Sequence, residues 1–275
     1  MKLVFPTIVL LFAMLVPAWS VEQIQWSRTY DQAVTLAKKN SQPIFVDVYA
    51  EWCAWCHVLD KEVYTDPKFI TFMKGFVTLK ADAEDNKDGT KLAEKYDIDG
   101  LPTLLVIDSS GNLLLKITGF RRANELVDAI GGALQLIDRE KKNPQDVQAS
   151  AKLADLYLDG MMFGQAETRY QKVVSATGLT PQQKEKALFS LALTQYYQQK
   201  LDASLANLNT YYANYKGGKS EEQALLLLAQ INVEKKSNVA AKKYLQEFLT
   251  KYPKSQNAAR IKQVLTTIDK ELAQK

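Results

Sequence analysis

The 275-residue chain contains two cysteines, and they lie three positions apart in the run Glu51-Trp52-Cys53-Ala54-Trp55-Cys56-His57. A fold for this chain must therefore be stable without disulfide staples, and must place the pair where a strand hands over to a helix. Residues 44–49, mostly apolar and just ahead of the pair, form a short run typical of a buried strand, and a helix should run from the pair to about residue 63. Two intervening residues let both sulfurs meet within one helical turn, so a disulfide can form and break with little backbone movement. Cys53 would stand at the helix N-terminus, where free N–H groups and the helix dipole favour a thiolate. That thiolate can attack a substrate disulfide, and Cys56 then resolves the mixed disulfide. Two other readings stay open. A structural disulfide here would close too small a loop to stabilise much. A zinc site needs four ligands, where this chain offers two cysteines and an adjacent histidine facing elsewhere.

Composition narrows the function classes. Hydrophobic residues make up 47% and charged residues 24%, which fits a globular protein and excludes a disordered or collagen-like chain. A formal charge of +4 is too weak a bias for nucleic-acid binding. His57 is the one histidine, which leaves little scope for a His-based zinc centre or a Ser-His-Asp triad. The sequence therefore predicts neither a metal site nor a cofactor.

The first twenty residues read as an export signal. Lys2 gives a positive start, residues 3–16 are an apolar run of fourteen interrupted by Pro6, and Ala18 and Ser20 supply the small residues of a cleavage site after Ser20. Fourteen is short of the roughly 20 residues a membrane-spanning helix needs, although an uncleaved anchor is the competing reading. No cysteine sits at the cleavage point, so lipid attachment is not expected. The mature chain is expected to be periplasmic or otherwise exported, without stable membrane insertion, in a compartment that favours disulfide chemistry.

Charge divides the rest of the chain. Residues 21–140 carry a net charge of −5 and residues 141–275 one of +8. The polar stretch 138–144 ends in Asn143-Pro144, a helix stop, so the sequence is divided into a signal (1–20), a first domain (21–140) and a second (141–275). The contrast could help the halves dock or guide an acidic partner to the second; two independently solvated surfaces are an equal reading.

In the first domain helix and strand alternate. Helices are expected over 30–39, 67–73, 89–96 and 124–136, and strands over 44–49, 76–80, 103–107 and 113–118, the last two joined by a turn with Gly111 available for positive φ. The pattern is a mixed central sheet covered by helices, an α/β fold. Phe45-Val-Asp-Val-Tyr-Ala-Glu-Trp-Cys-Ala-Trp-Cys56 and Gly100-Leu-Pro-Thr103 resemble the two active-site motifs of the thioredoxin family, and the similarity covers residues 25–136. The resemblance implies a cis bond at Pro102, with the backbone of Leu101 pairing with a substrate strand. It implies a proton-accepting buried acid at Asp47, six residues before Cys53, since burial raises a carboxyl pKa. Gly119 matches a glycine that keeps the substrate groove open. Thioredoxin proper places a lysine beside its acid; by sequence spacing that position holds Thr78, with Lys80 two residues on. Trp52 and Trp55 are expected to rim the pair for a bound chain, or else to pack locally. His57 either raises thiolate character or faces solvent.

Tyr64-Thr-Asp-Pro67, Leu79-Lys-Ala-Asp82 and Thr118-Gly-Phe120 are further similar to the C-terminal periplasmic domain of DsbD-type thiol:disulfide interchange proteins. That implies electron flow towards protein disulfides, with a membrane or soluble thiol donor supplying this chain from elsewhere.

The second domain is expected to be all-helical. Ala166, Ala203 and Ala240 recur at 37-residue spacing, each after a polar break and near the start of a second helix, and residues 258–272 could cap the array. This resembles degenerate tetratricopeptide repeats. Tyr196, Tyr197, Tyr211, Tyr212 and Tyr215 either line a peptide groove or pack between helices. Two function classes remain: an exported oxidoreductase of protein disulfides with a recognition module, or an assembly adaptor that keeps the first domain as a docking surface. A disulfide isomerase would want a dimer interface, which the sequence does not show.

Overall fold

The computed structural model describes residues 23–274, so the expected signal segment 1–20 lies outside the described residues. The elements run in chain order: β1 (Trp26–Ser27), α1 (Tyr30–Asn40), β2 (Ile44–Tyr49), α2 (Ala54–Val58), α3 (Pro67–Met73), β3 (Val77–Asp82), α4 (Asp88–Lys95), β4 (Thr103–Ile107), β5 (Leu113–Thr118) and α5 (Ala123–Lys142). Helices α6 (Val147–Asp159), α7 (Phe163–Ser175), α8 (Pro181–Tyr197), α9 (Leu201–Asn214), α10 (Glu221–Glu234), α11 (Asn238–Lys251) and α12 (Ala258–Ala273) complete it.

The five strands form one mixed sheet in the order β1-β3-β2-β4-β5, with β2 parallel to β3 and antiparallel to β4. This is the thioredoxin fold. β2 is central, and Ile44 through Val48 are all fully buried, which explains why its run is apolar apart from Asp47. Alternation sends Ile44, Val46 and Val48 into a core under α1 and α4. Phe45 points the other way, into a core with Leu59, Tyr64, Phe69 and Leu126. Asp47 shares that second face, one pleat nearer the cysteines.

Two short features depart from the sequence expectation. β1 is only two residues long, too brief for a periodicity signal, and is held at the sheet edge by pairing with Thr78 and Leu79. The helix after the cysteines continues from α2 into a π-helical turn, Leu59–Val63, closed by the Tyr64 N–H bonding to the Leu59 carbonyl at 3.0 Å. Such an inserted residue leaves no periodic trace over so short a helix.

The two halves are packed together. α5 runs through residue 140 to Lys142, beyond the expected 136, and its Leu136 and Ile137 join the core of α6 and α7. Glu140 accepts from Arg169 at 2.7 Å and from Ser150 Oγ at 2.6 Å, an acid of the first half held by the second. Leu113 and Leu156 each belong to cores on both sides of the junction. Gly160, at the end of α6, sits so close to β5 that an added Cβ would lie 2.6 Å from the Lys116 carbonyl oxygen. Gly160→Ala must therefore push α6 off the strand, an overpacking cost of about 1–3 kcal/mol. The expected readout is a lower melting temperature and faster proteolysis between residues 143 and 146; an unchanged protein would remove this contact from the junction.

The helices of the second half pair as repeats of the tetratricopeptide type. The turns at Met161, Gln199 and Lys236 all take positive φ, 55°, 59° and 57°. Five residues after each comes a fully buried small residue: Ala166, Ser204 and Ala241. The 37-residue spacing through Ala203 and Ala240 is thus out by one in two repeats, and Ala203 is exposed. A Ser in the close-packed position hides the true register from an alanine search; its hydroxyl is satisfied by the Ala192 carbonyl at 2.7 Å. The tyrosines are mostly interhelical. Tyr211 is fully buried and donates to Glu185 at 2.9 Å, Tyr212 bonds Glu247, and Tyr196 donates to Glu234 at 2.7 Å. Tyr197 is half exposed and stacks on Phe163.

Candidate active site

β2 ends at Tyr49, and Cys53 stands four residues later as the N-cap of α2, its N–H bonded to the Ala50 carbonyl at 3.0 Å. Cys53 and Cys56 are joined as a disulfide with a Cα–Cα separation of 5.3 Å. The Cys53 sulfur accepts the Cys56 N–H at 3.2 Å, so a backbone donor of the first helical turn already faces it. Both residues are buried, Cys53 at 3% exposure and Cys56 at 1%.

An apolar rim surrounds them. Trp52 and Trp55 are 68% and 58% exposed, unusual for the largest side chain. Trp52 is steadied by its indole N–H donating to Glu84 at 2.8 Å, and Trp55 lies 5.2 Å from Phe120. The Leu101–Pro102 bond is cis. The Pro102 carbonyl accepts the Gly119 N–H at 2.8 Å, which extends the β4–β5 ladder by one pair and brings Gly119 beside the proline. Gly119 has φ of +83°, and a Cβ there would meet nothing closer than Arg121 at 3.9 Å, so the glycine is required by its backbone and faces open space. His57 is exposed, with Nε2 2.8 Å from the Glu51 carbonyl oxygen.

On β2, six residues before Cys53, Asp47 is fully buried. Neither of its oxygens has a hydrogen-bond partner among the described residues, and the Tyr64 hydroxyl has none either. Burial pushes the Asp47 pKa up to about 7, against the opposing pull of the Lys80 charge 3.9 Å away and of the nearby Tyr64 hydroxyl. Strand register corrects the sequence spacing here: Asp47 pairs with Lys80, while Thr78 pairs with Phe45 and donates to the Gln25 carbonyl. The lysine beside the acid is present, two residues later than the spacing placed it. Lys80 also bonds Asp60 in the π-turn, and its ammonium lies 4.8 Å from the Tyr49 ring.

Asp60, Tyr64 and Glu84 are site neighbours that the motifs do not single out as such. Only Tyr64, inside one of the motifs, carries any signal. Among the described residues no cluster of His, Cys, Asp and Glu is placed to hold a metal ion, and no helix is long and apolar enough to cross a membrane.

Comparison with known proteins agrees with the geometry. Residues 30–133 match the family model of a thioredoxin-like domain, and residues 152–275 that of an outer membrane lipoprotein family (YfiO). The chain thus carries a thioredoxin-like domain followed by a helical region of tetratricopeptide type. The first of these is similar to the thiol:disulfide interchange protein DsbD of Vibrio vulnificus (strain CMCP6), 32% identical over 114 residues, covering 40% of this chain and 18% of that protein. DsbD of Campylobacter jejuni (strain RM1221) is 31% identical over 102 residues, covering 37% and 18%. The chain therefore spans under a fifth of the length of these relatives. Among solved structures, an oxidoreductase named DsbH is 22% identical with a TM-score of 0.38, over 42% of this chain and 86% of that one. The oxidised C-terminal domain of Neisseria meningitidis DsbD is 23% identical with a TM-score of 0.33, over 37% and 89%.

Proposed function

We propose that the chain is an exported thiol:disulfide oxidoreductase that reduces disulfides in proteins, its first domain (21–140) doing the chemistry and its second (141–275) holding protein partners. The observation that carries this reading is the Cys53–Cys56 disulfide at the start of a helix, with Asp47 fully buried and without a hydrogen bond on the central strand that leads into the pair. In the reduced enzyme Cys53 attacks the substrate disulfide. Cys56, its proton taken by Asp47, then attacks Cys53 and releases the substrate thiol. Trp52 and Trp55 form the rim for the bound chain, Leu101 offers backbone pairing beside Pro102, and Gly119 leaves room for it. The names of the DsbD relatives support exchange chemistry, and that of the lipoprotein family supports a cell-envelope setting. A thiol donor, membrane-bound or soluble, must return two electrons after each turnover.

The test is dithiothreitol-driven reduction of insulin. The full chain should accelerate precipitation of the insulin B chain at catalytic concentration; no acceleration would contradict the reading.

A second reading, an envelope assembly adaptor, is favoured by one observation. A cleft of about 420 Å³ opens between α10 and α12, lined by Leu226, Val233, Ile261 and Val264 with Arg260 at its side. Under this reading the Cys53→Ser/Cys56→Ser chain would keep full activity in cells.

A further inference from the structure

The π-turn brings more than Asp60 to the sheet. Tyr64, closing that turn, is buried at 6% exposure with its ring fixed among Trp26 at 5.1 Å, Phe69 at 5.7 Å and Phe45 at 6.4 Å. A ring packed on three sides by aromatics has little freedom to move, so its hydroxyl is held in place. That hydroxyl makes no hydrogen bond among the described residues, and it lies beside the carboxyl of Asp47, whose two oxygens make none. Two adjacent buried polar groups left without a hydrogen bond are costly and rare in a settled core. Had Tyr64 served only to pack, phenylalanine would fill the same space without the buried hydroxyl.

We propose that Tyr64 is a positioning residue for the resolving step, its hydroxyl donating a hydrogen bond to Asp47 whenever Asp47 is ionised and so holding ready the base that serves Cys56. This rests on the thiol–disulfide exchange reading above. In the step itself the Cys56 thiol gives its proton to Asp47, and the thiolate attacks Cys53 Sγ. The Cys53–substrate S–S bond breaks and the Cys53–Cys56 bond forms. The substrate sulfur leaves as a thiolate with the electron pair of the broken bond and is protonated by solvent. Tyr64 neither gains nor loses a proton across the step. By favouring the carboxylate, it keeps Asp47 able to accept a proton at a pH where burial alone would leave it already protonated.

The other charged and titratable groups around Asp47 are accounted for. Lys80 of β3 favours the carboxylate, and Asp60 of the π-turn opposes it. Tyr49 lies farther along β2, and its own ionisation is opposed by Asp47. From β4 the residue opposite Asp47 is the uncharged Leu104. Tyr64 is the neutral donor in this set.

The experiment uses the full reduced chain and Ellman's reagent, 5,5′-dithiobis(2-nitrobenzoate). Cys53 displaces one thionitrobenzoate and carries the other as a mixed disulfide, and Cys56 releases the second in the resolving step. The rate of that second release is measured from pH 5 to 9. In the wild-type chain it should rise through an Asp47-dependent limb that Asp47→Asn abolishes. Tyr64→Phe should move the limb to higher pH by about one unit, slowing release about tenfold below the midpoint and leaving it unchanged well above. Melting temperature at pH values below the midpoint should not fall, because the hydroxyl removed there is a buried one without a hydrogen bond. In the Asp47→Asn background Tyr64→Phe should have no further effect, as expected if the hydroxyl acts through the carboxyl.

An unmoved limb, or an equal loss at every pH, would overturn the role of Tyr64 while leaving the exchange chemistry standing. Absence of any second release in the wild-type chain would instead remove the exchange reading, and the role of Tyr64 with it.

Discussion

Cys53→Ser is expected to abolish reduction of protein disulfides, by at least about 10³-fold in kcat/KM, because it removes the nucleophile on which every later event depends. Cys56→Ser is expected to fail differently. Its Cys53 can still attack, but nothing resolves the adduct, so a covalent complex with the substrate should accumulate and survive non-reducing electrophoresis. The two roles are assigned by position. Cys53 caps the helix, with its sulfur facing the Cys56 N–H and its neighbours Trp52 and Trp55 exposed. Cys56 lies one turn in; both sulfur-bearing residues are buried, so the assignment rests on the cap position and on the exposed tryptophans. A partner chain arriving over the tryptophans meets Cys53 first. If Cys56→Ser turned over normally, or if Cys53→Ser formed the trapped complex instead, the assignment would be reversed.

Asp47→Asn is expected to raise stability at neutral pH while damaging the chemistry. An ordinary aspartate has a pKa of 3.8, and in the fold Asp47 titrates at about 7 because burial opposes its charge. Between those values the folded chain holds a proton that the unfolded chain has lost. The protonated carboxyl is thus fully accommodated below about pH 4, and stability falls as pH rises through 7, then levels off. A shift of this size corresponds to a few kcal/mol, on the order of 4 at most. Urea unfolding of the oxidised chain should show the wild-type protein losing stability from pH 5 to 8 relative to Asp47→Asn, with the variant the more stable above pH 7. The same substitution removes the base proposed for Cys56, with an expected loss of about 10²–10⁴-fold in the resolving step near pH 8. A stability difference that stays constant across pH would mean that burial does not oppose the charge of this carboxyl.

How much of the fold is legible in the sequence depends on how each feature is stabilised. β2, β4 and β5 begin and end where the mostly apolar runs do, because strands packed in a sheet are written as largely hydrophobic stretches, with Asp47 and Lys116 as the charged exceptions. Asp66 caps α3 and Pro67 opens it, as their local chemistry dictates. Cys53, Cys56, Asp47, Pro102 and Gly119 stand in spaced motifs, and the β4–β5 pairing sets Gly119 beside Pro102. The partners of Asp47 are harder to see. That Lys80 rather than Thr78 stands beside it depends on β2–β3 register, which a separation of thirty-three residues along the chain leaves open. Asp60 and Tyr64 reach the site through a π-turn, an insertion of one residue that periodicity over two turns cannot detect. The repeat register is obscured for a related reason: Ser204 replaces the expected alanine in the close-packed position, and the alanine one place earlier faces solvent. α5 runs on past 136 because its last turns are stabilised by α6 and α7, a tertiary contact with no local signal.

The most direct test of the central claim is the reduction potential of the Cys53–Cys56 pair, measured on the full chain by equilibration with glutathione or dithiothreitol buffers. Trp52 and Trp55 flank the pair and supply a fluorescence signal for its redox state. A reductase of protein disulfides should give about −230 mV or lower, towards the value of about −270 mV for thioredoxin. A value near about −120 mV, where strong disulfide donors lie, would reverse the direction of electron flow, and a pair that does not cycle at all would contradict the account.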